Sequence, residues 1–422
     1  MTLFAATRVL GTELEIFPPI TTSLKPAASL WLLGILLFTL FPALLHANQS
    51  IAIRELQSQW GTGWQAPMSM DLPEEWMRVG TEGDGRPVFI QSETLKLDLQ
   101  KKILSFQMRI NSIDYLAGIE LRFASDKSFE SYFSIPIPLY TVKSFNLLQA
   151  NAWHTFSFGL GNAKMTGEPK SDAIRYLGIY LQDNALAPLV FDFTDIKVTS
   201  AQMPAMLSYT FDDGYDDHML AAKIMARYGQ AGTAYIIPQT IGTTGYLTEA
   251  QLKEMQRLGW GISSHHATPF VDFDALTLKT EIESVLQILE QGGFSNSMRH
   301  LAYPLGQQNR TYVQAMTRTA FDTARIAGGG METLPPGDRW LLRTYNVMHD
   351  TSIEDLRREV RLAKANNQWL ILMFHYLAEK PANDLEFSEA QFVELVEMID
   401  KEEIEVKPVH EVYNLIREHS ID

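Results

Sequence analysis

The 422 residues exceed one ordinary domain, and 46% hydrophobic against 20% charged residues is the balance of a folded, globular chain. Against 35 Lys and Arg stand 50 Asp and Glu, a formal net charge of −15 that argues against a surface built to neutralise phosphates, so nucleic acid is not an expected partner. Cysteine is absent, which excludes disulfides and thiol chemistry and leaves the compartment to be read elsewhere.

The N-terminus supplies it. From Ala27 to Ala47 there is no Asp, Glu, Lys or Arg, and an apolar core from Leu30 to Phe41 follows Lys25. Such a segment enters a membrane, as a signal peptide or, being long enough to span a bilayer, as an anchor. Residues 1–47 are assigned to it. The protein is then expected outside the cytoplasm, in the periplasm or cell envelope, touching the membrane only through residues 27–47 if they stay uncleaved.

From 48 to 202 the chain runs in short alternating segments: Ile103 to Ile110, Gly118 to Phe123, Trp153 to Phe158, Tyr176 to Leu181 and Val190 to Val198. Period-two segments separated by Gly, Asn, Asp and Pro predict an antiparallel, all-β sandwich. Its strand order resembles jelly-roll carbohydrate-binding modules, which implies a glycan-binding or spacer role. Trp60, Trp64 and Trp76 can stack on sugars but are read first as core or edge aromatics.

Past Met203 the rhythm changes to strand, loop and helix. Apolar runs ending near Phe211, Pro238, Ser264, Pro304, Ile326, Val347 and Phe374 alternate with helical patterns. Thr248 with Gln251, Ser352 with Asp355 and Ser388 with Gln391 have the spacing of capping boxes. Seven or eight such units over residues 203–422 predict a (β/α) barrel, and no Gly-rich phosphate turn points to an open nucleotide-binding sheet.

Barrel chemistry sits where strands end and loops begin. Those positions hold Asp212 and Asp213, His265 and His266, Tyr303-Pro304-Leu305-Gly306, Arg325, Arg343 and His375. Two adjacent carboxylates at a buried strand end repel unless a cation lies between them or one holds a proton, so the pair points to metal binding combined with acid–base work.

Thr210-Phe211-Asp212-Asp213-Gly214, Ser264-His265, Ala302-Tyr303-Pro304-Leu305-Gly306 and Leu372-Met373-Phe374-His375 resemble, in order and spacing, the motifs of the polysaccharide deacetylases, the family-four carbohydrate esterases. The resemblance covers about Pro204 to Val412. It implies a distorted (β/α) barrel that removes acetyl groups from a polysaccharide containing N-acetylated sugars with the help of a divalent metal, zinc first, with cobalt, nickel or manganese as alternatives. By the same resemblance Asp213 and His265 are metal ligands, Asp212 is the general base and His375 the general acid. Tyr303, Pro304, Leu305 and Arg343 would contact substrate, and the Leu305 N–H would steady the oxyanion.

Two departures bear on these expectations. The family places a second ligand histidine four residues after the first, where this chain has Pro269. His266, Asp272, Asp274 and His218 are open as replacements. The family's arginine partner of the catalytic aspartate often stands where Ala302 is, and either Arg325 or Arg343 can supply that charge. The alternative function is a catalytically impaired, deacetylase-like glycan-binding protein.

Overall fold

The computed structural model describes residues 49–51, 57–60, 64–68, 76–92, 94–137 and 149–419. The expected signal or anchor segment lies outside the described residues. No helix among the described residues is long and apolar enough to cross a membrane.

Among the described residues thirteen strands precede the barrel: β1 (Gln49–Ile51), β2 (Gln57–Trp60), β3 (Trp64–Met68), β4 (Trp76–Gly80), β5 (Val88–Gln91), β6 (Lys102–Ile110) and β7 (Leu116–Ala124). Then come β8 (Tyr132–Pro136), β9 (His154–Phe158), β10 (Lys164–Thr166), β11 (Tyr176–Asp183), β12 (Val190–Thr194) and β13 (Ile196–Ser200). They form two antiparallel sheets, in the orders β1-β13-β6-β12-β4-β3, with β9 also on β6, and β10-β8-β7-β11-β5-β2. The alternation read from the sequence is what each strand buries: Leu104, Phe106, Met108 and Ile110 of β6 meet Ile119, Leu121 and Phe123 of β7 in one apolar core. The predicted closing strand breaks at Asp195 into β12 and β13, which pair with opposite ends of β6.

Trp76 is buried in this core, as its first reading expects. It stands edge-on to Trp153, whose face carries the Arg109 guanidinium at 4.8 Å. Arg109 and Arg78 both pair with the buried Asp192 carboxylate. Trp60 and Trp64 lie in β2 and β3, and their side chains are outside the described residues.

The second half begins with β14 (Met206–Phe211), α1 (His218–Ala226), β15 (Thr233–Ile236), α2 (Glu249–Arg257), β16 (Gly261–Ser264) and α3 (Ala275–Gln291). It continues through β17 (His300–Ala302), α4 (Thr311–Ala320), β18 (Thr323–Gly329), β19 (Leu342–Asn346), α5 (Ile353–Asn366), β20 (Trp369–Phe374), α6 (Glu389–Glu402) and α7 (Val409–His419). The strands β14 to β20 are parallel and close on themselves, because β14 pairs with both β15 and β20. Seven strands therefore make the distorted (β/α) barrel. Of the three predicted capping boxes, Thr248–Gln251 is complete. Ser352 caps α5 through the Asp355 N–H alone, and Ser388 makes no side-chain cap.

No helix joins β18 to β19. Instead, this connection packs against the sandwich strand β9: the Thr333 and Ser157 hydroxyls lie 2.6 Å apart, and a Cβ at Gly337 would meet Ser157 atoms at 2.7–3.0 Å. Nearby, the Gln368 amide accepts from the Gly161 N–H and donates to Asn162. Sandwich and barrel belong to one compact unit from His46 onward.

Candidate functional site

Strand β14 is buried throughout and delivers its two acids to the mouth of the barrel. Asp213 has φ 71° and Gly214 φ 87°, so the chain turns sharply and neighbouring carboxylates leave in different directions. A left-handed aspartate costs on the order of 1 kcal/mol or more and persists where its surroundings hold it. Here both acids are held. The Asp212 carboxylate is buried and paired with the Arg325 guanidinium. The Asp213 Oδ1 lies 3.3 Å from His265 Nε2.

Arg325 reaches Asp212 from β18 across the barrel and also lies 4.7 Å from the Tyr235 ring centroid. Complete burial pushes its guanidinium down to about 9, and the Asp212 charge compensates it inside the barrel. Of the two arginines left open by the sequence, Arg325 is therefore the aspartate's partner. Burial alone would raise the Asp213 carboxyl, but its hydrogen bond and charge interaction with His265, together with His375 and Tyr215, hold it below the usual carboxylate value.

His265 follows β16, and its Nδ1 lies 2.8 Å from the Ala302 carbonyl, which orients Nε2 toward Asp213. His375 ends β20. Burial pushes it down to about 4, against the opposing pull of Asp213, and its Nδ1 has no partner among the described residues. Two consecutive residues at the start of α1 grip the backbone around it: His218 Nε2 bonds the His375 carbonyl at 2.6 Å, and Asp217 Oδ2 accepts from the Leu377 N–H at 2.8 Å. The sequence reading missed this clamp, although its members follow the Asp-Asp-Gly turn within four residues.

The remaining expected contacts separate. Leu305, at φ 53°, is 63% exposed at the mouth. Tyr303 and Pro304 are buried, and the Tyr303 ring packs with Phe270, Leu301 and Val313. Arg343 has other partners. Its guanidinium is buried against Glu332 and donates to the Ser157 carbonyl at 2.7 Å, which makes it a bolt between barrel and sandwich.

The open third-ligand position stays unfilled. His266 is engaged by Thr268 and by Glu281 at 3.3 Å, Asp274 caps α3, and His218 is fully buried on the His375 carbonyl. Asp272 is exposed in a 3-10 turn that Pro269 initiates. Among the described residues no three His, Cys, Asp or Glu groups are arranged to hold a metal ion. The donor chemistry of Asp213 and His265 fits a divalent cation at two protein ligands, one oxygen and one imidazole nitrogen.

Residues 200–324 match the family model described as polysaccharide deacetylase. The curated protein named "Putative polysaccharide deacetylase YxkH" of Bacillus subtilis (strain 168) is 28% identical over 150 residues, 34% of this chain and 52% of that protein. The chain thus spans about half the length of this relative. Among solved structures, the Xyl-CE4 domain of a multidomain xylanase from the hindgut metagenome of Trinervitermes trinervoides has a TM-score of 0.36 at 15% identity, covering 50% of this chain and 91% of its own. Peptidoglycan deacetylase PdaC from Bacillus subtilis has a TM-score of 0.33 at 12% identity, covering 52% and 94%. Residues 200–324, the segment that supplies Asp212, Asp213 and His265, are thus similar to the polysaccharide deacetylases.

Proposed function

We propose that the protein hydrolyses N-acetyl groups on an extracytoplasmic polysaccharide, exported or anchored through residues 27–47. The observation that carries this reading is the divergence of the two aspartates: one turn gives Asp212 to Arg325 and Asp213 to His265, with His375 on the adjoining strand. Adjacent acids in different pairings can take different roles.

Asp213 and His265 would hold a divalent cation, zinc being the best match to their donor set, which when bound acidifies water and polarises an amide carbonyl. Asp212, fixed by Arg325, takes a proton from the attacking water. The Leu305 N–H, presented by its left-handed backbone, donates to the oxygen on which negative charge develops. His375 gives a proton to the departing amine as the carbon–nitrogen bond breaks. Because burial keeps His375 neutral in the resting protein, the proton collected at Asp212 must pass to His375 before the carbon–nitrogen bond breaks, and its delivery to the amine leaves both groups as they began.

Metal content and turnover separate the roles. Asp213→Ala and His265→Ala should each lower metal occupancy, whereas Asp212→Asn should keep the metal and lose acetate release. An Asp212→Asn protein that also lost its metal would overturn this division. Pro269 favours the second reading, a glycan binder. Acetate release that appears only in Pro269→His would establish that reading.

A further inference from the structure

Three tyrosines gather beside Asp213 and none is taken up by the chemistry above. Tyr215 follows Gly214, Tyr376 follows His375, and Tyr246 reaches them from the loop before α2. The Tyr215 and Tyr376 rings stack with centroids 3.7 Å apart at 21°, and Tyr246 lies 5.2 Å from Tyr215 at 33°. Tyr215 and Tyr246 are also joined by an isolated backbone bridge.

The barrel's core tyrosines, Tyr209, Tyr235 and Tyr303, are buried, whereas all three of these keep partial exposure to solvent. Tyr376 and Tyr215 are tied in place. The Asp217–His218 clamp grips the backbone on both sides of Tyr376, and the Tyr215 hydroxyl interacts with both Asp213 and Tyr376. A rigid aromatic surface with hydroxyls along its edge suits a sugar ring, whose C–H face lies on the aromatic while its own hydroxyls meet the polar rim. Two side-chain torsions per tyrosine make the ordering cost of such a surface small.

We infer that Tyr376, Tyr215 and Tyr246 form a saccharide-stacking subsite that takes the sugar next to the one being deacetylated, so that the site prefers a chain to a single sugar. This rests on the deacetylase reading above. The subsite lies on the residues that immediately follow the two reactive motifs, so a ring stacked there places its neighbour within reach of the reacting groups.

The test compares a β-1,4-linked N-acetylglucosamine tetramer with 4-nitrophenyl acetate in wild type, Tyr376→Ala and Tyr376→Phe. For Tyr376→Ala the tetramer-to-aryl-acetate ratio of kcat/KM should fall about 3- to 10-fold, carried by KM, as loss of one aromatic contact predicts. Tyr376→Phe keeps the ring and should stay within about twofold of wild type. An equal loss on both substrates would overturn the inference, since the cluster would then only support the centre. So would a Phe variant as impaired as the Ala variant, because the hydroxyl rather than the ring would be at work. Calorimetric titration of the tetramer keeps this separate from the deacetylase reading: if no substrate is turned over, the reading fails, yet weaker tetramer binding to Tyr376→Ala than to wild type still supports the subsite. Equal binding, or none to wild type, overturns it.

Discussion

Removing the charge of Arg325 while keeping most of its length, as Arg325→Met does, tests the pairing on which the site depends. The Arg325 and Asp212 side chains are only 1% and 7% exposed, so water cannot take over the role of the lost guanidinium. A buried carboxylate left without its partner costs roughly 3–5 kcal/mol. At about 2–4 °C per kcal/mol, suited to a unit the size of the barrel, the melting temperature should fall by roughly 6–20 °C. Asp212→Asn alone strands the guanidinium and should also destabilise. The double variant removes both charges, so its loss should be smaller than the sum of the singles by about 1–3 kcal/mol. Calorimetry and urea unfolding measure the cycle. If Arg325→Met unfolded within about 0.5 kcal/mol of wild type, or if the two losses simply added, the ion pair would not hold Asp212 and the reasoning would fail.

Arg343→Ala leaves Glu332 buried without its guanidinium and the Ser157 carbonyl without its donor, so unfolding should be easier by roughly 3–5 kcal/mol, read by urea titration, with KM unaltered because Arg343 does not face the mouth. His218→Ala removes the hydrogen bond to the His375 carbonyl and should lower kcat more than it raises KM; His218→Gln, which can donate from a similar position, should recover part of the loss. Burial pushes His218 down to about 4 and His300 to about 3, from 6.5. Below about pH 6.5 the unfolded chain takes up protons that the native state refuses, so stability present above 6.5 is lost as pH falls toward 4, and a pH series of melting temperatures for His300→Gln should decline less steeply than for wild type. Asp217, raised by burial to about 7, works in the opposite sense, its contribution being lost as pH rises through 7.

The strands were legible because their periodicity is a direct consequence of burial: alternation in β6 and β7, unbroken apolar runs in β14 and β20. The acids and histidines of the candidate site were legible because they fall where those runs stop. What sequence could not decide was partner choice across the barrel. Arg325 and Arg343 lie on adjacent strands at similar depth in the pattern, yet one faces Asp212 and the other the sandwich, because Arg325 pairs with Leu342 and the next residue, Arg343, therefore points to the opposite face. Tyr303 looked like a rim residue because it follows a strand, but its ring is buried and the side chain exposed there is that of Leu305, at the left-handed turn. The missing helix between β18 and β19 was hidden for another reason: the surface it would cover is occupied by β9, more than 160 residues earlier in the chain.

Acetate release from an N-acetylated oligosaccharide, measured on the protein as purified, after chelation and after re-addition of zinc or cobalt, tests the central claim most directly. The account predicts release that chelation removes, that re-added metal restores, and that Asp212→Asn lacks under every condition. No acetate from wild type with any metal, or release undiminished in Asp212→Asn, would contradict it.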